Sequence, residues 1–181
     1  MTYDAIDIAK WLLYEAKKQG ISMTHMKLQK LLYYAQAYFI GITGKPLFHN
    51  VIQAWQHGPV VPDVYNIYKK FGNSIINNIE YYPAPYELSH LISFIIRDKG
   101  QFSAHDLRNM THNEDTWKTA WNSPSSKNIT DDMIRNSFTQ DFWASDEEDE
   151  YQPSFDSQEE EKNFFLQNIN GEEINAIINS R

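Results

Sequence analysis

The chain has 181 residues, of which 41% are hydrophobic and 14% aromatic, and its formal net charge is −8. This length allows one domain with a proper core plus an extension, and it is short for two full domains. Cysteine is absent, which excludes disulfides, thiolate nucleophiles and cysteine-based zinc sites and fits a reducing cytoplasm.

Charge is distributed unevenly along the chain. Residues 1–130 carry 13 Lys/Arg and 10 Asp/Glu, a net charge of +3, whereas residues 131–181 carry 3 and 14, a net charge of −11. Such a skew is typical of an interaction or solubilising tail. No apolar run approaches the roughly 20 residues needed to span a bilayer, and the start of the chain lacks the features of a signal peptide. We therefore expect a cytoplasmic protein without a membrane partner.

Two helices are predicted at the start of the chain. Asp4 is a good N-cap and Gly20 a good C′ residue for the first of them. Thr24 can cap the second, which we expect to end at Gly41 and Gly44. The apolar side chains of this second helix keep helical spacing over about four turns: Leu28, Leu31, Leu32, Ala35, Tyr38, Phe39 and Ile42. We expect it to be the centre of the core.

The next segment changes character. Residues 47–55 are β-branched and aromatic without a helical period, which predicts one or two short strands and a small hairpin near 47–56. Gly58 and Pro59 then turn the chain. Pro62 suits the first turn of a short helix, and residues 72–85, with two prolines and several asparagines, predict a loop.

Further helices are predicted in the second half of the chain. Residues 86–99 hold an apolar helical stripe that ends at Gly100. Ser103 can cap a helix as far as Met110, and Trp117 to Trp121 predict one more turn. Thr130 can cap a helix that contains Met133, Ile134 and Phe138.

The last part of the chain is acidic. Residues 146–150 are five consecutive acids, while Ser157 and Glu160 resemble a capping box ahead of apolar residues. The sequence therefore predicts a mainly α fold: a single helical domain over residues 1–140 with a small β-hairpin, followed by an acidic extension over residues 141–181 with short amphipathic helices.

One local feature stands out as a candidate contact with another macromolecule. It is the run Trp55, Gln56, His57, Gly58, Pro59 and Val60. Glycine permits unusual backbone angles and proline stiffens the next step. The run is either a rigid turn that offers Trp55 and His57 to a partner or a structural corner between strand and helix, because turn chemistry alone explains Gly-Pro.

Two tyrosines and four lysines are further candidates. Five consecutive residues from Leu31 cannot all face one core, so we expect Tyr33 or Tyr34 at the edge of the helix, where it suits an interface. Four lysines would cluster if the first two helices form a hairpin: Lys17, Lys18, Lys27 and Lys30. Such a patch is either a solvated face or an anion-binding surface.

Motifs for catalysis or metal binding are absent from the sequence. None of the six histidines has the spacing of a zinc site, and there is no glycine-rich phosphate loop and no nucleophile elbow. We therefore expect no enzyme activity, no cofactor and no metal. The acidic extension is a solvated linker, a segment that grips a basic toxin surface, or one that mimics nucleic acid or masks the basic core. Its aromatic residues interleave with acids, so Phe142 and Trp143 are candidate anchors of a segment that folds on a partner.

Two segments of the chain form a recognisable pair. Residues 26–38 read MKLQKLLYYAQAY and residues 54–65 read AWQHGPVVPDVY. In this order and at this separation they resemble the Panacea family of SocA-like antitoxins, and weaker likeness lies in Leu107 to His112, at Trp117 and in Ile129 to Phe138. The resemblance covers residues 4–140. It implies a mainly helical fold with a small β element and an antitoxin that binds a partner toxin. Some members resemble adaptors that deliver the toxin to a protease, and related proteins are phage-associated, which implies a prophage setting.

The sequence thus predicts an antitoxin of a type II toxin–antitoxin system that neutralises its cognate toxin by direct binding, with a protease as a further partner if it acts as an adaptor. The first alternative is a phage-encoded or prophage-encoded inhibitor of a host protein, and the second is a nucleic-acid-binding regulator. Nucleic acid is not expected as a partner, because four lysines without a reading helix are a weak DNA signal. The oligomeric state stays open.

Overall fold

The computed structural model describes residues 2–143, with side chains as far as Phe138. In this part of the chain the α-helices are α1 (Ala5–Lys18), α2 (His25–Thr43), α3 (Pro62–Tyr68), α4 (Tyr86–Lys99), α5 (Ala104–Asn113), α6 (Asp115–Asn122) and α7 (Asp131–Trp143). The strands are β1 (Ile52–Trp55), β2 (Gly58–Val60) and β3 (Asn128–Ile129), and a 3-10 turn (Lys69–Phe71) follows α3. The predicted mainly α fold with a small β element is confirmed.

Helix α2 is the centre of the fold. It packs against α1, α4, α5, α7 and β2. As a result, 14 of its 19 residues are buried, and these include polar and charged ones. A helix enclosed on all sides cannot keep a separate polar face in solvent. The polar side chains of α2 therefore need partners inside the protein.

The predicted helix caps are confirmed because they depend on local chemistry. The side chain of Asp4 accepts a hydrogen bond from Ile6 N at 2.7 Å, and that of Thr24 accepts one from Lys27 N at 3.3 Å. Ser103 forms a reciprocal capping box with Asp106 at the start of α5. Each bond satisfies a backbone N–H that has no partner within its helix.

The strands lie later in the chain than the sequence predicted. β1 pairs antiparallel with β2, with Gln53 opposite Val60 and Trp55 opposite Gly58. The hairpin therefore spans residues 52–60, and its prediction near 47–56 is wrong in position. β1 also pairs with β3 on its other side, with Ile52 opposite Ile129, which gives the strand order β2-β1-β3.

Residues 47 and 48 form only an isolated bridge. Tyr3 N donates to Leu47 O at 2.8 Å, and Tyr3 pairs with Phe48 in parallel. On the other side the Gln36 side chain takes the remaining hydrogen bonds: its Oε1 accepts from Leu47 N at 2.9 Å and from Phe48 N at 3.0 Å, and its Nε2 donates to Phe48 O at 3.1 Å. The backbone of this segment is thus satisfied without a full strand partner.

Several element ends also differ from the predictions. Gly41 lies inside α2, and Gly44, with φ +67°, ends the helix. Helix α5 continues to Asn113, and α6 is a full helix and not a single turn. The predicted domain end at residue 140 lies within α7, and residues 144–181, with their predicted helices, lie outside the described residues. Among residues 2–143, no helix combines the length and apolar character needed to cross a membrane.

Candidate functional site

The turn between β1 and β2 is the exposed end of the small sheet. Because Trp55 pairs with Gly58, the turn consists of Gln56 and His57, and both are exposed. The indole of Trp55 is half-buried. Of the contact residues predicted in this run, the structure therefore presents His57 and part of Trp55.

The three following residues require a correction. Gly58, Pro59 and Val60 are buried, although they were predicted as contact residues. The physical reason is that β2 packs against both α2 and α5. These three residues pack beneath the exposed turn. The structural-corner interpretation therefore describes them, and a partner contact at Trp55 and His57 stays a prediction.

Only glycine fits at position 58. Its φ is +97°, which strains any residue with a side chain. A Cβ here would lie 2.8 Å from Lys30 Cε and 2.8 Å from Thr111 Oγ1. The missing side chain lets α2 and α5 approach the strand, and it allows the Lys30 ammonium to donate to Pro59 O at 2.7 Å.

The predicted four-lysine surface patch is wrong. Lys30 is 1% exposed and Lys27 is 8% exposed, and the Lys27 ammonium donates to the carbonyl of Gly100. Lys17 and Lys18 remain at the surface, where Lys18 pairs with Glu15 at 2.8 Å. Because α2 is enclosed by other elements, the lysines of its first turns extend into the protein and their charges face backbone carbonyls.

Five side chains that are cationic or can become so meet around β2: His25, Lys30, His57, Arg108 and His112. We call them the hairpin cluster. Burial, with the nearby charge of Arg108, lowers the pKa of Lys30 to about 7. Burial and the charge of Lys30 lower the pKa of His25. Burial also lowers the pKa of His112, and Arg108, Lys30 and His57 add to the effect. Each shift reflects the cost of placing like charges together away from water.

Four buried polar atoms in this region have no hydrogen-bond partner among the described residues. They are His25 Nε2, Gln29 Nε2, Arg108 Nε and His112 Nε2. The carbonyl oxygen of Gln29 is satisfied, since it accepts from Val61 N at 2.8 Å, and only its amide nitrogen is left over. Buried polar atoms are normally paired, so this concentration in one place sets the region apart.

An aromatic wall borders the hairpin cluster. The ring of His112 stacks on Trp117 with a centroid distance of 3.9 Å, and Trp117 stacks on Trp121 at 5.4 Å. The indole N–H of Trp117 donates to the carbonyl of Trp55 at 3.1 Å, which fixes α6 to β1. The ring of Tyr65 packs against the indole of Trp55, with a centroid distance of 4.8 Å. The exposed turn is thus held by rigid ring contacts.

The prediction that Tyr33 or Tyr34 lies at an edge is wrong. Tyr33 is 0% and Tyr34 2% exposed. Their hydroxyls donate to the two carboxylate oxygens of buried Glu114, at 2.8 Å for Tyr34, and the Tyr33 hydroxyl also bonds Thr116 at 2.8 Å. Burial and the adjacent carboxylate raise the pKa of Tyr34 well above its usual value. Both tyrosines therefore secure the α5–α6 junction from within α2.

A second exposed surface lies away from the hairpin. In the segment before α4, Tyr81 is 78% exposed, and Tyr86 in its first turn is 74% exposed. Tyr81 contacts Tyr14 of α1 edge to face, with centroids 5.1 Å apart. The sequence predicted a loop for residues 72–85 and a helix from residue 86, and neither pattern shows which tyrosines are exposed.

Two more predicted contact residues lie beyond the side chains that the structure describes. Phe142 and Trp143 are in the last turn of α7, beyond the residues whose side chains are described. Within the described part of the chain, no group of three or more His, Asp or Glu side chains is placed to hold a metal ion.

Sequence reasoning missed Arg108 and Glu114. Both come from the α5–α6 region and act on α2, which lies far away in sequence. Glu114 bonds Tyr33, 81 positions away, and Arg108 lies near Lys30. The sequence shows an acid and an arginine in or near the third segment of family likeness. It does not indicate which residues they contact.

Comparison with known proteins identifies the family of the chain. The family described as "Antitoxin SocA-like, Panacea domain" matches residues 28–118. A curated relative, Antitoxin SocA of Caulobacter vibrioides (strain NA1000 / CB15N), is 29% identical over 154 residues, which cover 75% of this chain and 82% of the relative. No solved structure matches the chain. The matched region runs from α2 to α6 and contains the exposed turn and most of the hairpin cluster.

Proposed function

Because the chain belongs to the family of SocA-like antitoxins with a Panacea domain, we propose that it neutralises a partner toxin by direct, stoichiometric binding. The observation that carries this proposal is the family match together with the identity to Antitoxin SocA over most of both chains. The matched residues include the β1–β2 turn, which is the part of the small sheet that reaches solvent. Protein binding needs only such a surface, and no group has to react.

The toxin contacts the face around the β1–β2 turn in this proposal. His57 is exposed, Trp55 and Trp121 are half-buried, and His112 lies beside them on the aromatic wall. Aromatic side chains with a polar atom are common anchors in protein interfaces. Lys30, bonded to Pro59, and the stacked indoles hold this face in one conformation, so little freedom is lost on binding.

Neutralisation follows from occlusion. A toxin surface buried against the turn is withheld from its target for as long as the complex lasts. The acidic residues of 131–181, with a net charge of −11, speed the encounter with a toxin that carries a basic surface. Aromatic residues in the same stretch, Phe142 and Trp143 among them, supply further anchors.

Delivery of the toxin to a protease is an extension of the same proposal and makes a different prediction. Under occlusion the toxin persists in the cell as a complex with this protein. Under delivery the toxin is degraded, and its level falls when this protein is expressed. Measuring the toxin level by immunoblot, with and without the protease, separates the two mechanisms.

The experiment that tests the function is co-expression with the adjacent gene. We expect that the neighbouring gene product alone arrests growth, that this protein restores growth, and that the two co-purify at a fixed ratio. An adjacent product without toxicity, or toxicity that this protein does not relieve, contradicts the antitoxin function. Binding to a host protein in place of a neighbouring gene product supports the phage-encoded inhibitor instead.

A further inference from the structure

The unpartnered polar atoms of the described residues converge on one place. They are on His25, Gln29, Arg108 and His112. His25, Arg108 and His112 each interact electrostatically with Lys30, whose ammonium bonds Pro59 O in β2, and Gln29 bonds Val61 directly after that strand. His25 and Gln29 are on α2 and Arg108 and His112 are on α5, and both helices pack against β2. Gln29 is 2% and His25 8% exposed, so solvent does not satisfy them.

The charge at this place is also unbalanced. Neither Lys30 nor Arg108 forms an ion pair within the part of the chain that the structure describes. The Lys30 ammonium has three N–H donors and uses one, on Pro59 O at 2.7 Å. A buried cation normally has an anionic partner or several hydrogen-bond acceptors. Here Lys30 and Arg108 lie near the imidazoles of His25 and His112. Burial first, and repulsion from neighbouring charges second, lowers the pKa of both Lys30 and His112.

These donors match the chemistry of an oxyanion. Lysine, arginine and histidine offer N–H groups and positive charge, and a carboxylate or phosphate group offers several acceptors and negative charge. A water molecule could take some of the hydrogen bonds, but it leaves the repulsion between Lys30 and Arg108 in place. An anion satisfies both the donors and the charge.

We propose that the hairpin cluster, together with Gln29, binds an oxyanion, with Lys30 and Arg108 supplying the charge and Gln29 and His112 supplying hydrogen-bond donors. Lys30 and Gln29 are buried and form the inner side of the site, while Arg108 and His112 are half-buried and form its outer side. The site goes beyond the proposed antitoxin function and does not depend on it, since a free ion can test it on the protein alone.

The test uses two probe ions on the full-length protein. Sodium acetate represents a carboxylate and sodium phosphate represents a phosphate group, each titrated at constant ionic strength against sodium chloride. Calorimetry and the midpoint of thermal unfolding report binding. The variants are Arg108→Gln and Lys30→Met. The matched control is Arg97→Gln, because Arg97 is an exposed arginine on α4 that lies over the Phe94 ring.

We expect saturable binding of at least one ion, with a midpoint of unfolding that rises with its concentration. Arg108→Gln should weaken this binding by about tenfold or more, as expected for one charge-assisted hydrogen bond, and Lys30→Met should weaken it as well, while Arg97→Gln leaves it unchanged. Acetate binding identifies a carboxylate as the ligand group, and binding of phosphate alone identifies a phosphate.

Two results overturn the proposal. One is that neither ion binds saturably above the chloride reference. The other is that Arg97→Gln and Arg108→Gln weaken binding equally, which would locate the ion elsewhere on the surface. Both results leave the rescue from toxicity untouched, so the oxyanion site and the antitoxin function can fail separately. If one of the two cluster variants does not fold, the other decides the outcome.

Discussion

The ammonium of Lys30 donates a hydrogen bond to the carbonyl of Pro59 at 2.7 Å, and this bond joins the central helix to the strand that supports the exposed turn. It explains why a charged residue can lie in the middle of the core at 1% exposure. It also ties β2, and with it the base of the exposed turn, to α2.

Replacement of Gly58 by alanine should strongly destabilise the protein. The added methyl would meet Lys30 and Thr111 at 2.8 Å in a backbone with φ +97°, and we expect a loss of about 2–4 kcal/mol in the free energy of unfolding. Gly20→Ala is the matched control, since Gly20 has φ +70° but no atom within 4 Å of the added carbon, and it should cost only about 1 kcal/mol. Chemical denaturation measures both, and equal losses contradict the close packing.

The depressed pKa of Lys30 should appear as a pH dependence of stability. The group titrates at about 7 in the folded protein and at its ordinary 10.5 when unfolded. Between these values the unfolded chain binds more protons, so stability rises with pH, by up to a few kcal/mol, roughly 1.4 kcal/mol per pH unit. The groups facing Lys30 are Arg108, His25 and His112. The histidines titrate below this window.

Lys30→Met provides the comparison for that measurement. Without the titrating ammonium, the variant should show a clearly smaller rise of the free energy of unfolding between pH 7 and 9 than the parent protein. Any remaining rise comes from Lys27, since burial lowers its pKa as well. The upper limit of pH 9 avoids the range in which tyrosines ionise in the unfolded chain. Folding raises the pKa of Tyr34, so its ionisation in the unfolded chain lowers the stability of the fold at higher pH. Parallel curves for the two proteins would show that Lys30 is not the responsible group.

Replacement of Tyr34 by phenylalanine should lower the stability of the protein. It leaves one oxygen of the Glu114 carboxylate without its donor, for which we expect a loss of about 1–3 kcal/mol. Tyr86→Phe removes a hydroxyl from a side chain that is 74% exposed and should change stability by less than about 0.5 kcal/mol. Unfolding curves decide between them, and two neutral variants would mean that Glu114 is held by other groups.

His57→Glu should weaken toxin binding without affecting the fold. His57 is exposed in the β1–β2 turn, so a negatively charged side chain of similar size fits there, but its charge and shape disturb a surface pressed against it. His90→Glu makes the same change on the exposed face of α4. We expect at least a tenfold loss of affinity for the first variant, on the order of 1.4 kcal/mol, and parental affinity for the second. Equal affinities would remove the turn from the interface.

Removal of residues 144–181 should slow toxin binding without unfolding the domain. This segment holds 11 Asp/Glu and 2 Lys/Arg, a net charge of −9. Without it, the association rate constant should fall at low salt and approach that of the full chain as salt screens the charges. Stopped-flow mixing measures the rate, and the midpoint of thermal unfolding should stay within a few degrees. A large drop in that midpoint would place the domain boundary further along the chain.

The caps and the central helix could be predicted because each depends on a few neighbouring residues. Thr24 and Ser103 act on backbone groups within one helical turn, and the apolar spacing of α2 is visible in the sequence itself. The same spacing could not predict that Tyr33, Tyr34, Lys27 and Lys30 are buried too. That depends on helices α1, α4, α5 and α7 and on strand β2 enclosing α2 from all sides, which no local pattern records.

The β1–β2 turn and the hairpin cluster beside it also differ in how well the sequence predicted them. Trp55, His57 and Gly58 were found from the sequence because turn residues and aromatics stand next to each other. Arg108 and His112 lie in a different segment and reach the turn only through the packing of α5 on β2. β3 was missed because two residues, Asn128 and Ile129, are too few to show a strand period.

Hydrogen exchange of the purified complex tests the antitoxin interface most directly. Amides of residues 52–60 and of α5 and α6 should exchange more slowly in the complex than in the free protein, while amides around Tyr81 and Tyr86 should exchange at the same rate in both. Unchanged exchange in residues 52–60, with protection confined to the tyrosine surface or another face, would contradict binding through the β1–β2 turn.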